Sequence, residues 1–231
     1  MKVLGIDTSG YANALGIVEG NRVLAELNYP ATSDSIEKIT INIDEVLKKA
    51  NLGLSDIVGI GVGLGPGSWT GIRIGVTVGK MLAFSMNRPI AGVPTLEAMA
   101  YSVHDELRPV FAVIDVGAGN TVYAAKYRIE AENITRTGEY FVGDIEGLAQ
   151  LITEPSVFAG VKAGDYARAV EKKTGIEVTA IETSPSGTSV AILAERRLSR
   201  GEGDEVLSIA PLYLKESTAK AFVNKYRVRH T

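Results

Sequence analysis

The stretch from Ile60 to Ala83 limits the folds open to this chain more than any other. An apolar strand, predicted over 57–64, runs into Gly65-Pro66-Gly67-Ser68, and a helix leaves that turn. Glycine then recurs at Gly71, Gly75 and Gly79, and Ala83 completes the series. Each glycine inside a helix costs about 0.8–1 kcal/mol relative to alanine. A chain that accepts this three times along one i, i+4 row needs that row bare, so that another part of the backbone can approach closely. The row faces either the first helix of the same chain or a partner. Close packing inside a lobe is the commoner use of small residues and is favoured.

The elements around this stretch form two runs of the same order. The first has strands at 2–7, 14–18 and 23–27, joined by turns into an antiparallel meander. Asp34-Ser35-Ile36-Glu37 has the form of a capping box. Ile36, Ile39, Ile43, Val46, Leu47 and Ala50 then follow helical spacing. Ile41 lies off that stripe, so the apolar surface is wider than one packed face requires. Pro89–Val93 is a further strand, and Thr95 is placed as the cap of a helix running to about His104. A boundary falls near residue 108, dividing the chain into 1–107 and 108–231. The second run starts with a strand over 110–114 that leads into Asp115. Strands at 121–127, about 139–142, 157–160 and 177–181 follow, with helices at 144–152, 166–174 and 188–200. Pro211-Leu212-Tyr213-Leu214-Lys215 is an ordered segment before a charged, frayed end. The fold class is α/β, with strand, aspartate turn, two strands, helix, strand, helix in each half.

Composition restricts the chemistry. With no cysteine among 231 residues, disulfides and thiolate catalysis are excluded. His104 and His230 lie far apart in sequence, so no histidine metal site is expected. Net charge is -3, without the basic footprint of a nucleic-acid binder. No apolar run approaches the ~20 residues that span a membrane, and the N-terminus lacks a signal-peptide pattern. A cytoplasmic protein without membrane contact is expected.

Two turns are candidate sites. Asp7-Thr8-Ser9 and Asp115-Val116-Gly117-Ala118-Gly119 each place a carboxylate at a strand end, followed by small residues whose amides can face an anion. Asp7, Thr8, Ser9, Asp115, Gly117 and Gly119 could thus flank a cleft and hold Mg-ATP. Asp and Gly are also ordinary turn residues. Gly65-Pro66-Gly67-Ser68 opens a helix, as an anion site does. It lacks the Lys-Ser/Thr pair of a phosphate-binding loop and the third glycine of a dinucleotide fingerprint. Ser9 and Ser68 have no evident histidine partner, so no residue is assigned a catalytic role.

Asp7-Thr8-Ser9, Gly65-Pro66-Gly67-Ser68-Trp69-Thr70-Gly71-Ile72-Arg73-Ile74-Gly75 and Pro211-Leu212-Tyr213-Leu214 together resemble the TsaB (YeaZ-type) family. The glycine segment carries most of the likeness, which is strong over roughly the first hundred residues. The resemblance implies a two-lobed actin-like (ASKHA) fold with a reduced second lobe. It also implies a non-catalytic role in making threonylcarbamoyladenosine in tRNA. The implied partners are a TsaD-type transferase, bound through helices of the first lobe, and a TsaE-type ATPase, with tRNA met through the complex. Relatives commonly carry His-Ser-Glu where this chain has Ser35-Ile36-Glu37, and only the glutamate matches. They carry Asp-Ala-Arg-Arg-Gly where this chain has the Asp115 turn, which is more like a phosphate loop of nucleotide-binding relatives. On the adenosine side, Gly160 and Gly164 are only a fragment of the expected glycine pattern.

On this reading Ile36, Ile39, Ile43, Val46, Arg73, Val76 and Lys80 meet the partner, and a homodimer can form through the same surface. No cofactor is needed. Ile39→Glu should then weaken association without unfolding, whereas Gly75→Leu should disrupt the lobe. The competing reading is an ATPase or phosphotransferase that binds Mg-ATP between the lobes.

Overall fold

The structure, a computed structural model, describes residues 1–32, 35–103, 106–115, 121–130 and 133–214, with the backbone alone for residues 35 and 36. The proposed cap Asp34, the side chain of Ile36, both histidines, Gly117, Gly119 and the segment from Lys215 onward lie outside the described residues.

In chain order the first half holds β1 (Lys2–Asp7), β2 (Ala12–Glu19), β3 (Arg22–Pro30), α1 (Ser35–Lys49), β4 (Gly59–Gly63), α2 (Trp69–Met86), β5 (Ile90–Val93) and α3 (Thr95–Tyr101). The second holds β6 (Val110–Asp115), β7 (Val122–Glu130), β8 (Asn133–Arg136), β9 (Phe141–Gly143), α4 (Ile145–Ala149), β10 (Ser156–Gly160), α5 (Ala163–Thr174), β11 (Val178–Glu182) and α6 (Gly187–Ser199). The sheet orders are β3-β2-β1-β4-β5 and β11-β10-β6-β7-β8, with β9 pairing β7. In each sheet an antiparallel hairpin is followed by strands added in parallel. The repeat expected from sequence is therefore present. One strand is additional: β8 precedes the expected third strand, which is β9. Asn133-Ile134-Thr135-Arg136 is an edge strand with a single apolar residue, so it lacks the alternation that marks a half-buried strand.

The alternation of β1 and β2 assigns the two faces of the first sheet. Leu4, Ile6, Leu15 and Ile17 pack with Ile39, Ile43, Val46 and Leu47 of α1 and with Ala83 of α2. Val3 and Val18 face the other way, onto Val190, Ala191 and Ala194 of α6. The last helix of the chain thus lies on the first sheet. Small residues on both sides allow this: a Cβ on Gly5 would strike Gly187 and Ala191, and one on Gly61 would meet Ala194. In return α3 lies against the second sheet, where Leu96, Met99 and Ala100 join Val110, Ala112 and Val157. Each sheet is therefore covered by a helix from the other half. The opposite face of the second sheet carries α4 and α5 through Leu148, Ala149, Ala163, Ala167 and Val170.

The α1 stripe corrects one expectation. Ile39 and Val46 are fully buried, Ile43 nearly so, and Val76 of α2 is also enclosed. These side chains are spent on the chain's own core and offer no surface to a partner. Ile39→Glu is therefore expected to unfold the first lobe, since an unpaired buried charge costs about 3–5 kcal/mol. Loss of the cooperative thermal transition, or a transition lowered by more than about 10 °C, checks this.

Candidate functional site

The turn after β1 is seated on the bare row of α2. A Cβ on Gly71 would strike the carbonyl of Thr8, one on Gly75 the Thr8 hydroxyl, and one on Gly79 the side chain of Val62. Ala83, the fourth member of the row, is buried in the same layer. The row thus faces β1, β4 and the Asp7 turn, rather than α1 or the exterior. Thr8 Oγ1 donates to the carbonyl of Gly71 at 2.6 Å, and Ser68 N donates to the carbonyl of Ser9 at 2.7 Å. Ser68 also caps α2, accepting from Gly71 N at 3.2 Å.

Asp7 is fully buried at the centre of this contact. Its Oδ1 accepts from Ser9 N at 2.8 Å and from Ser9 Oγ at 2.6 Å. Its Oδ2 accepts from Thr95 Oγ1 at 2.8 Å. Thr95 also fixes the glycine loop: its Oγ1 accepts from Gly65 N at 3.1 Å and its N donates to Gly65 O at 2.8 Å. Gly65 has φ +89°, a conformation that glycine adopts without a Cβ penalty. Thr95 is therefore not the cap of α3, a position taken by Pro94. Its hydroxyl is used up between Asp7 and Gly65. A lone threonine after proline reads from sequence as a cap, and no local signal points to its distant partners.

Asp115, at the end of β6, lines a cavity of about 410 Å³ together with Ser9 to Ala12, Gly67, Ser68, Met99, Val113, Ile114, Tyr123, Val161, Ser184 and Pro185 among others. Ser9 of the first turn and Asp115 thus meet at one cavity, but Asp7 does not line it. Asp115 does, and Lys162 Nζ holds it at 2.7 Å. That hydrogen bond raises the Lys162 pKa. Burial, reinforced by the Asp115 charge, pushes the Tyr166 phenol up to about 12. Glu182, at the end of β11, accepts from Lys162 N at 2.8 Å and Gly164 N at 2.9 Å, filling the amides that open α5. Lys162 and Glu182 carry no motif that sequence could reveal. Among the described residues no group of three or more His, Asp or Glu side chains converges.

Arg73 and Lys80, expected at the partner surface, instead hold the chain's own C-terminal segment. The Arg73 guanidinium lies 4.5 Å over the Trp69 ring, and its Nε donates to Tyr213 Oη at 3.0 Å. Trp69 and Tyr213 stack with centroids 4.1 Å apart. Lys80 Nζ donates to the carbonyls of Leu207 and Ile209 at 2.9 and 3.0 Å. Leu212 N donates to the Leu64 carbonyl at 2.8 Å, so the expected ordered segment at 211–214 closes over the glycine loop.

Two sheets of like topology, each with an aspartate at the end of its first strand, have the architecture of the actin-like class of α/β fold. The ROK hexokinase of Thermus thermophilus has this fold, with a TM-score of 0.53 and 13% identity over 86% of this chain and 100% of that one. YeaZ from Pseudomonas aeruginosa superposes with a TM-score of 0.78 at 25% identity, covering 92% of this chain and 99% of that one. In sequence, the tRNA threonylcarbamoyladenosine biosynthesis protein TsaB of Bacillus subtilis is 27% identical over 228 residues, 96% of this chain and 97% of the relative. The profile of the TsaD family, described as tRNA N6-adenosine threonylcarbamoyltransferase, matches residues 30–225. The chain belongs to this family, on its TsaB (YeaZ-type) side, a group involved in tRNA threonylcarbamoyladenosine biosynthesis. Among the described residues no helix is long and apolar enough to cross a membrane.

Two outcomes test the buried knot. Thr95→Val removes one donor to Asp7 and one acceptor for Gly65, and is expected to cost about 1–3 kcal/mol in urea unfolding. Thr95→Ser should recover most of that loss. The second concerns pH. Burial raises the Asp7 pKa above its usual value of 3.8, against the lowering effect of Ser9 and Thr95. From about pH 3.8 up through the folded pKa, the folded state binds the proton more tightly, so the Asp7 contribution to stability falls as pH rises, then levels off. The unfolding free energy of the wild type minus that of Asp7→Asn should therefore decrease from about pH 4 upward and then stay flat. A difference that grows with pH would mean that hydrogen bonding outweighs burial at Asp7. Glu106 behaves oppositely. Arg108 lowers it to about 2, so its contribution is present above 4.5 and lost as pH falls toward 2.

Proposed function

We propose that this chain is a docking and activating subunit in the making of threonylcarbamoyladenosine in tRNA, with the chemistry carried by a TsaD-type transferase bound to it. The observation that carries this reading is the exposure of large apolar side chains on α1 and α2. Ile41, Met81 and Phe84 are 67%, 66% and 70% exposed there, although each helix has a complete buried stripe of its own. Exposed large apolar side chains beyond what the core needs mark surfaces that a partner covers. A transferase of the same family would share this helical layer, so the two chains can meet through equivalent helices. A homodimer through the same face is the corresponding self-association. The interface thus moves from Ile39, Ile43, Val46 and Val76 to the outward residues of the same helices. A TsaE-type ATPase then acts on the assembled pair, tRNA is met through the complex, and the complex works in the cytoplasm.

The second reading, Mg-ATP held between the lobes, is favoured by the cavity that Ser9 and Asp115 both line. Against it, the Asp7 carboxylate is fully used by Ser9 and Thr95, and Asp115 is engaged by Lys162. Gly117 and Gly119, which that reading needs, lie outside the described residues.

Co-purification of the full chain with a TsaD-type subunit tests the first reading. Met81→Glu with Phe84→Glu should weaken association at least about tenfold, or about 1.4 kcal/mol, and lower tRNA modification while leaving the unfolding midpoint unchanged. Undiminished association of the folded double variant would remove this face from consideration. Saturable Mg-ATP binding to the isolated chain by calorimetry, lost in Asp115→Asn, would support the second reading.

A further inference from the structure

Away from the cleft, β8, α3 and the C-terminal half of α6 border a groove of about 620 Å³. Four arginines line it, Arg136, Arg196, Arg197 and Arg200, together with three glutamates, Glu97, Glu195 and Glu202. This excess of positive charge occurs in a chain whose net charge is -3. Each glutamate already has a cation. Arg197 holds Glu97 at 2.7 and 2.9 Å, Arg200 holds Glu202 at 2.9 and 2.8 Å, and the amino group of Met1 holds Glu195 at 2.8 Å. The remaining arginines are also held in place. Arg136 stacks 4.2 Å from the Tyr140 ring and donates to the carbonyl of Gly138 at 2.6 Å. Its nearest carboxylate, Glu139, is 4.0 Å away and 98% exposed, so solvent screens that pair. Arg196 lies over the Tyr101 ring and donates to Tyr101 Oη and Asn21 Oδ1, both at 3.0 Å.

A guanidinium has five N–H donors in a planar fork that matches phosphate oxygens, and Arg136, bound to one carbonyl and facing a solvent-screened carboxylate, keeps part of that fork for a phosphate. No aromatic side chain is among the described residues lining the groove, so it offers charge rather than a stacking platform. We propose that this groove binds phosphates of an RNA backbone. The choice of RNA rests on the reading of this chain as a subunit of a tRNA-modifying complex.

The test uses the full chain, alone and with a TsaD-type subunit, and measures the anisotropy of labelled tRNA across a salt series. Arg136→Gln with Arg200→Gln should weaken tRNA binding about tenfold or more. It should also lower the slope of log affinity against log salt by about one for each phosphate that is no longer neutralised. Lys172→Gln with Lys173→Gln removes the same charge from exposed positions on α5 and should leave binding unchanged. Equal tRNA affinity in the arginine variant and the wild type would overturn the proposal, as would equal losses in both double variants. Pyrophosphate binding that depends on the two arginines, without any effect on tRNA, would overturn the RNA assignment and leave a free phosphate compound as the ligand. Co-purification in the same samples keeps the two readings apart. A complex that forms with unchanged tRNA affinity sinks only the groove. Failure of the complex to form sinks the subunit reading, and anisotropy on the isolated chain still decides the groove.

Discussion

The contact on which the rest of the structure depends is the seating of the Asp7-Thr8-Ser9 turn against the bare row of α2. Gly71 and Gly75 admit the Thr8 carbonyl and hydroxyl at distances no side chain would permit. The turn then brings its carboxylate into a fully buried site, where every acceptor atom must be matched. Ser9 and Thr95 do this, and Thr95 passes the constraint on to Gly65. One buried carboxyl group thereby fixes β1, the glycine loop, the start of α2 and the start of α3 relative to each other. The glycine-rich motif that first resembles a phosphate loop is spent on this internal contact.

A second consequence concerns how the halves are joined. Because α6 lies on the first sheet and α3 on the second, neither sheet is covered by its own sequence half alone. One repeat of topology ends with α3 at Tyr101 and the next begins with β6 at Val110, while α3 and α6 each cross to the sheet of the other half. The C-terminal segment continues the return. It runs from α6 past Lys80 to the Trp69–Tyr213 stack, so the first lobe is finished by the last described residues. Arg73 and Lys80 read from sequence as cations available to a partner because their acceptors lie more than 120 residues away.

The surface divides accordingly. The one carboxylate among the described residues lining the cleft, Asp115, and two amides at the start of α5 are tied internally. The outer face of α1 and α2 keeps Ile41, Met81 and Phe84 in solvent. Chemistry inside the cleft would require charges that are free to meet a ligand, whereas docking requires only area.

The sequence by itself determined the order of the elements apart from β8, the repeat of topology, the helical row of small residues and the family. Each of these is written in local periodicity, turn chemistry or a contiguous motif. It also showed, through Ile41, that α1 has more apolar surface than its core stripe uses. Tertiary structure alone decided which part of the chain the glycine row admits, where the Thr95 hydroxyl goes, and which apolar residues of α1 and α2 remain outside. It alone assembled the arginine groove from β8 and α6. These depend on residues far apart in the chain, 63 positions for Thr8 and Gly71 and 140 for Arg73 and Tyr213. A helical stripe looks the same in sequence whether it meets its own sheet or another chain.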